Sequence, residues 1–269
     1  MFIQAIRSEW IKLRTTQGFW ITSVLVLAFG LISAALAGWM ISKGADLVPL
    51  DPGTPKPSPA GALIGELDST MKPLGYFIMI GQAVVFVCSE FRHRLLATSV
   101  LGTPNRALVA GAKWVVYGLA SMAITAVTLL VSTVVACLAA GAPGAAGTIF
   151  GDPAFWGLLG RMMVGGLLFV TMAMGFAWLT HSTTFPVMVL ILWASFEGAF
   201  QLIPKIGPIE VGKVVSKFGP MGHLDAFIHG QPHGGFPLGF VGAGLWFALW
   251  AFGFLALGVA RLRREDVKV

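Results

Sequence analysis

Residues 18–41 read GFWITSVLVLAFGLISAALAGWMI, a run of 24 positions without a single charged side chain. One α-helix needs about 20 apolar residues to cross a hydrocarbon core roughly 30 Å thick. Irregular backbone cannot face lipid, so a run of this kind predicts a transmembrane helix. The remainder of the chain fits the same class. Of its 269 residues, 56% are hydrophobic and only 11% are charged, and the mean hydropathy is +0.82.

Five further apolar runs follow, separated by polar segments or by segments rich in Gly and Pro. The predicted transmembrane helices cover residues 18–41, 70–89, 108–140, 155–180, 184–203 and 236–260. The third exceeds what a bilayer requires, which predicts a tilted helix or a protruding end. We therefore expect an all-α polytopic membrane protein, with residues 1–269 forming a single transmembrane domain of six crossings.

The segments outside these runs carry three further predictions. Residues 1–17 place Phe2, Ile6, Trp10 and Leu13 on one helical stripe with basic residues on other faces, which indicates an interfacial helix. Residues 46–61 have Pro at nearly alternate positions, which favours an extended outer loop. Residues 204–235 are too polar to span, and we expect short capping helices at 211–218 and 222–229.

Basic residues indicate the orientation when alternate loops are assigned to opposite sides of the membrane. One side holds eleven basic and four acidic residues, a net charge of +7, and the other holds seven of each, with Glu197 left aside within a crossing. The positive-inside rule makes the first side cytoplasmic, so both termini are expected in the cytoplasm. Attraction to anionic lipid then accounts for the basic pI of about 9.6 without a nucleic-acid partner.

Familiar catalytic and cofactor motifs are missing from the sequence. It contains no phosphate-binding loop, no His-Glu-x-x-His and no Gly-x-Ser-x-Gly, so we expect neither an enzyme nor a bound cofactor in this chain alone. His223, Asp225, His229 and His233 could suggest a metal, but Gly and Pro interrupt the helical spacing of the last two. We expect solvated loop histidines there and no metal site.

Two segments resemble ABC-2-type exporter permeases. Residues 8–20, SEWIKLRTTQGFW, place Glu9 and Lys12 three positions apart before an Arg-Thr step into the first crossing, as in the entry helix of that family. Residues 89–106, SEFRHRLLATSVLGTPNR, continue as ALVAGAKW and resemble its first intracellular loop, in which a Thr-Pro-x-Arg turn leads through Lys113 into the third helix. The six-helix plan extends the resemblance over the whole chain.

The resemblance implies a half-transporter of a bacterial cytoplasmic membrane. It would dimerise with a second permease chain, identical or paralogous, and bind two cytoplasmic ATPase subunits that carry the ATP and Mg²⁺. Residues 91–104 would form the coupling helix that docks on the ATPase, although lipid could also receive its apolar stripe. The residues expected to serve coupling are Glu9, Lys12, Arg14, Glu90, Arg92, Arg94, Leu95, Thr98, Pro104, Arg106 and Lys113.

Two ionisable residues fall inside predicted crossings, where charge is costly. Arg161 and Glu197 each lie about six residues from the outer end of their helices, so both sit roughly 9 Å below the same membrane edge. We expect an ion pair that locks the fourth helix to the fifth. A cavity-facing Glu197 that binds a cation or a proton is the alternative.

The second and fifth helices flank the dimer cavity in the family that the sequence resembles. Their candidate substrate-path residues are Phe77, Gln82, Phe86, Met188, Trp193 and Phe196. Few polar groups fall within the crossings, which favours a hydrophobic or amphipathic substrate such as a drug, a peptide antibiotic or a lipid. A lipid or glycolipid flippase is the alternative, and an ion-coupled carrier without an ATPase is less favoured because intramembrane charges are few.

Overall fold

The computed structural model describes residues 2–43, 59–67, 71, 74–92, 106–201, 211–233 and 238–264. Its regular elements within these ranges are all helices, and no strand occurs there. They are α1 (Phe2–Thr15), α2 (Gln17–Ser42), α3 (Pro59–Glu66), α4 (Leu74–Arg92), α5 (Arg106–Ala139), α6 (Ala145–Gly151), α7 (Pro153–Thr180), α8 (Thr184–Gln201), α9 (Val211–Phe218), α10 (Pro220–His229) and α11 (Gly239–Arg264).

Four of these helices are long and apolar enough to cross a membrane, namely α2, α5, α7 and α11. This agrees with the predicted class of helical membrane protein. In α4 and α8 the apolar stretches are shorter, Leu74–Ser89 and Thr184–Glu197. At 1.5 Å per residue these stretches span roughly 21–24 Å, short of a hydrocarbon core of about 30 Å. The six predicted crossings therefore stay a prediction.

The predicted and observed helix boundaries differ most at the second and the last apolar helix. The second apolar helix was predicted over residues 70–89, whereas α4 begins at Leu74 and continues to Arg92. The last was predicted to end at residue 260, whereas α11 runs on to Arg264. Three arginines occupy the final turn of α11, where positive charge stabilises the carboxyl end of a helix dipole.

The central helix is α7, which packs against α11, α5, α4 and α10. Of its apolar window 72% is buried, against 22% for α2 and 28% for α11. The helix α1 packs at one end of the bundle, against α5, and α10 packs at the other, against α7, α8 and α11. We call these the α1 end and the α10 end.

Small residues let the long helices approach closely. A Cβ atom added at Gly175 of α7 would lie 2.5 Å from the backbone carbonyl carbon of Phe254 in α11, and Gly258 faces the Gly175 carbonyl from the other side. At the crossing of α2 with α5, Gly38 lies directly against the backbone of Ala136. Lipid tails are as apolar as leucine, so membrane helices associate mainly through such close packing.

The short helices partly correct the predicted elements. The predicted extended loop over residues 46–61 ends in helix, because α3 begins at Pro59, and Pro is favourable at a first helical position. Residues 44–58 lie outside the described residues. The predicted helix over 211–218 is confirmed by α9, and that over 222–229 is confirmed with an earlier start at Pro220. The helix α6 was not predicted.

The N-terminal helix is confirmed, but its buried face differs from the predicted stripe. Thr16 separates α1 from α2, and the Trp20 indole donates a hydrogen bond of 2.8 Å to the Arg14 carbonyl across this corner. The residues buried in α1 are Ala5, Glu9 and Leu13. Phe2 and Trp10, predicted to share the apolar face with Leu13, are each 44% exposed. The buried face therefore contains a carboxylate, which requires a partner.

Candidate functional site

A buried ion pair joins α1 to α5 at the α1 end. Lys113 Nζ lies 2.6 Å from Glu9 Oε2, and each side chain is only 2% exposed. The second oxygen, Oε1, accepts a 2.6 Å hydrogen bond from Lys12, whose side chain is 44% exposed. Both carboxylate oxygens are thus engaged by ammonium groups, a condition that a buried charge must meet to be tolerated.

Aromatic residues connect this ion pair to α4. The Lys113 ammonium lies 4.2 Å from the ring centroid of Phe86, within the range of a cation–π interaction. Phe86 in turn stacks on Tyr117 at 5.9 Å between centroids, and the Tyr117 hydroxyl donates to the Met79 carbonyl at 2.8 Å. The sequence predicts Phe86 as a substrate-path residue and predicts no role for Tyr117. We call Glu9, Lys12, Phe86, Lys113 and Tyr117 the α1-end cluster.

The structure brings together three of the eleven residues predicted to serve coupling, namely Glu9, Lys12 and Lys113. Arg14 is exposed and forms no part of the cluster. Glu90 and Arg92 lie in the last turn of α4 and Arg106 begins α5, so residues 91 and 92 of the predicted coupling helix belong to α4. Side-chain positions for these three are not described. Arg94, Leu95, Thr98 and Pro104 lie outside the described residues.

The predicted coupling segment is continuous in the chain with two helices of the cluster. Residues 93–105 join the end of α4 to the start of α5. Phe86 precedes Arg92, and Lys113 follows Arg106, by about two helical turns each. A displacement of either end of the segment would therefore act on helices that share the cluster.

Arg161 and Glu197 bind opposite ends of α10. Glu197, which is 4% exposed, accepts a 2.7 Å hydrogen bond from the backbone N–H of Gly222 in the first turn of α10. Arg161 Nε donates to the Ile228 carbonyl in its last turn at 2.8 Å. A negative group at the amino end of a helix and a positive group at the carboxyl end both complement the helix dipole.

The predicted ion pair between Arg161 and Glu197 is not formed. Within the described residues neither side chain lies in an ion pair; the pairs found there include Glu9 with Lys12 and with Lys113, and Asp225 with His229. Depth along a helix can be counted from the sequence, but the direction in which a side chain points depends on how the helix is rotated. The backbone of α10 supplies the partner to each residue, so α10 ties α7 to α8 indirectly.

Exchanging the two charges, with Arg161→Glu and Glu197→Arg in one chain, should not restore what each single substitution loses. Each single variant removes a charged hydrogen bond, so amide exchange in α10 should accelerate roughly tenfold or more. In the double variant each end of α10 would face the wrong sign of charge. Hydrogen exchange read by mass spectrometry, with the exposed Lys217→Gln as control, checks this. Restored protection in the double variant would instead show direct pairing.

The histidines of the α10 end are not all solvated, contrary to expectation. His223 is fully buried, and its Nδ1 donates to the Gly219 carbonyl at 2.7 Å. Burial lowers the pKa of His223, which keeps the ring neutral at pH 7. His229 is 39% exposed and lies 3.4 Å from Asp225, in agreement with the prediction. In the parts of the chain that the structure describes, no three potential ligands are grouped to hold a metal ion.

The predicted substrate-path residues do not share one surface of this chain. Gln82 and Phe86 are buried, at 6% and 7% exposure, whereas Met188 and Phe196 are 55% and 53% exposed. Phe77 lines an apolar cavity beside α10. Met188 and Phe196 are the two of these residues that lie exposed on α8, where a ligand or lipid could contact them.

Trp193, the remaining predicted substrate-path residue, packs α8 against α11. Its ring meets Trp250 edge to face at 5.3 Å and Phe254 at 6.5 Å. Edge-to-face geometry of this kind adds to the stability gained by burial alone. Within this chain Trp193 is engaged in helix packing.

No family model matches the chain, and the curated proteins contain no match to it. The resemblance of residues 8–20 and 89–114 thus rests on those residues themselves. In the structure the two segments contact each other through the ion pair of Glu9 with Lys113.

Proposed function

We propose that this chain is the membrane-spanning permease subunit of an ATP-driven exporter of the ABC-2 type, located in a bacterial cytoplasmic membrane with both termini in the cytoplasm. The observation that carries the proposal is the buried ion pair at the α1 end. Glu9 comes from the first segment that resembles this family and Lys113 from the second, 104 positions apart, yet their charged atoms meet at 2.6 Å.

The α1-end cluster is suited to transmit force. It fastens α1, α4 and α5 to one another through an ion pair, a cation–π contact and a ring stack. In the chain, residues 93–105 connect the end of α4 to the start of α5. An ATPase that pushes on this segment would therefore move the three helices together and would not bend one of them. The ATPase would bind and hydrolyse ATP with Mg²⁺, and this chain would provide the helices that move.

The length of α5 fits the same scheme. Its 34 residues give a helix of roughly 51 Å, which exceeds a hydrocarbon core of about 30 Å. Lys113 lies about two turns from its start, at the end that carries α1. With the α1 end in the cytoplasm, the cluster would sit at or beyond the membrane surface, within reach of a soluble subunit.

The proposed substrate is hydrophobic or amphipathic. Among the described residues, the buried acidic, basic and histidine side chains Glu9, Lys113, Glu197 and His223 are all engaged in contacts at the two ends of the bundle. The middle of the bundle therefore offers apolar side chains and hydroxyl groups. A second copy or a paralogue would complete the transport path, since the outward faces of α2 and α11 are apolar and exposed.

Co-expression of the chain with the products of its neighbouring genes tests the proposal. We expect an ATPase to co-purify and its hydrolysis, after reconstitution, to be stimulated by one member of a panel of drugs, peptides and lipids. Arg92→Ala or Leu95→Ser should abolish this stimulation without loss of the folded chain. Arg264→Ala, at the same end of the bundle, is the matched control.

Two results would contradict the exporter. One is a stable, folded chain that retains no ATPase under any of these conditions, which would favour an ion-coupled carrier. The other is full stimulation in both coupling variants. Stimulation by lipids alone would identify the flippase form of the same machine.

A further inference from the structure

An apolar cavity of ≈ 140 Å³ lies beside α10. Four helices form its wall: α4, α7, α8 and α10. The lining includes Tyr76, Phe77, Phe169, Ala194, Met221 and Asp225. Among the described lining residues Asp225 carries the only charge. The cavity does not contain the α1-end cluster, so a ligand could bind here whether or not the chain serves an exporter.

The cavity is held open by contacts around it. The two ends of α10 are fixed by the hydrogen bonds to Glu197 and from Arg161. On its inner side α10 packs closely on α7. A Cβ atom added at Gly165 of α7 would lie only 3.1 Å from Cγ1 of Ile228 in α10. Tyr76 and Phe169 form an edge-to-face pair at 6.2 Å, which fixes the aromatic part of the wall. Since α10 cannot move inward, the space persists as a preformed site.

Size and lining define the group that fits. An enclosed apolar cavity of about 150 Å³ accepts a benzene ring, and the pocket beside α10, which opens to the surface, has a similar volume of ≈ 140 Å³. Asp225 adds a second requirement at the rim, where its side chain is 57% exposed. His229 lies 3.4 Å from it, but a carboxylate facing solvent still favours a ligand ammonium, which stays charged near pH 7.

We propose that this cavity binds the aryl or short alkyl group of a hydrophobic amine, with the ammonium of the ligand against Asp225. A lipid acyl chain is another source of the same apolar chemistry. It would fill the cavity without using Asp225.

Three matched probes test the site on the full chain in detergent micelles and in lipid nanodiscs. Benzylamine, benzyl alcohol and benzoate share one ring and differ in charge. Titration calorimetry should give affinities in that order, with benzylamine roughly tenfold tighter than benzoate. Asp225→Asn should reduce the benzylamine affinity to that of benzyl alcohol and leave benzyl alcohol unchanged. A preserved preference for benzylamine in Asp225→Asn would overturn the role of the carboxylate.

Filling the cavity tests its apolar half. Ala194→Leu adds a branched side chain to the wall, and we expect all three probes to bind at least about tenfold more weakly. Ala199→Leu, an exposed position on the same helix, is the control and should bind as the original chain does. Equal binding by both variants would overturn the site.

Enlarging the cavity gives an independent measurement should Ala194→Leu fail to fold. Met221→Ala should admit 1-naphthylmethylamine, which the original chain should exclude, and identical binding of this amine by both would overturn the proposal. Native mass spectrometry separates the two sources. A lipid that stays bound to the original chain and is lost from Ala194→Leu would support the apolar site but overturn the amine as its occupant.

Discussion

Replacing Lys113 by methionine should lower the free energy of unfolding by about 3–5 kcal/mol, since it leaves the carboxylate of Glu9 buried without its nearest buried counter-charge. Glu9 is 2% exposed, so water cannot take over from the missing ammonium. Lys12 stays in contact with Oε1, but Oε2 loses the ammonium that it contacts. Equilibrium unfolding in mixed micelles, followed by tryptophan fluorescence, measures the loss.

Two companion variants sharpen this prediction. Lys12→Met removes the other ammonium from the same carboxylate, but its side chain is 44% exposed, so the loss should stay below about 1 kcal/mol. Glu9→Gln combined with Lys113→Met removes the buried charge altogether and should recover much of what Lys113→Met loses. Equal losses for Lys12→Met and Lys113→Met would show that burial does not govern the strength of this pair.

Introducing a single methyl group at Gly175 should separate α7 from α11. A Cβ atom there would lie 2.5 Å from the backbone of Phe254, and backbone cannot rotate away as a side chain can. We expect Gly175→Ala to destabilise the chain by about 1–3 kcal/mol. The shift should appear both in the unfolding midpoint and in faster amide exchange along α11.

Gly160→Ala provides the matched control on the same helix. No atom lies within 4 Å of a Cβ added at Gly160, so only the better helix propensity of alanine remains, worth up to about 1 kcal/mol in favour of the variant. The two substitutions are chemically identical and should have opposite signs. A neutral Gly175→Ala would mean that α7 and α11 can shift apart freely.

The positions of the long helices could be predicted from the sequence because an apolar run of about twenty residues has few alternatives in a membrane. The run over 155–180 became α7 (Pro153–Thr180) with only two residues added. Its start follows Asp152, whose carboxylate accepts from the Ala154 N–H at 2.8 Å, a capping signal that hydropathy alone ignores. Length and polarity thus identify the helices, and capping residues refine their ends.

The rotation of each helix could not be predicted in the same way. Counting residues placed Arg161 and Glu197 at the same depth, yet each side chain turns toward the backbone of α10. Backbone groups carry no sequence signature, so this kind of partner cannot be identified from residue types. Glu9 and Lys113 were singled out together only through a family resemblance. No periodicity in the sequence connects two residues 104 positions apart.

The close helix contacts at glycines such as Gly175 could not be predicted from the sequence either. The chain contains 34 glycines, and those at close crossings, such as Gly175, look the same as those in open space, such as Gly160. Which of them is indispensable depends on the path of a second helix. The coupling role of residues 91–104 stays a prediction, because it depends on a partner and on residues that lie mostly outside the described part of the chain.

Because the chain is synthesised from its amino end, α7 is complete before α11 can pack against it at Gly175. Eighty-four residues are added after Thr180, the end of α7, before Arg264 completes α11. At about 5–20 residues per second, roughly 4–17 s pass between completion of α7 and completion of α11. Throughout that interval Gly175 of α7 is without the α11 backbone that later packs against it. Because α11 backbone packs within contact distance at Gly175, we expect this face of α7 to accept only a helix with a small residue at the crossing, as α11 has in Gly258.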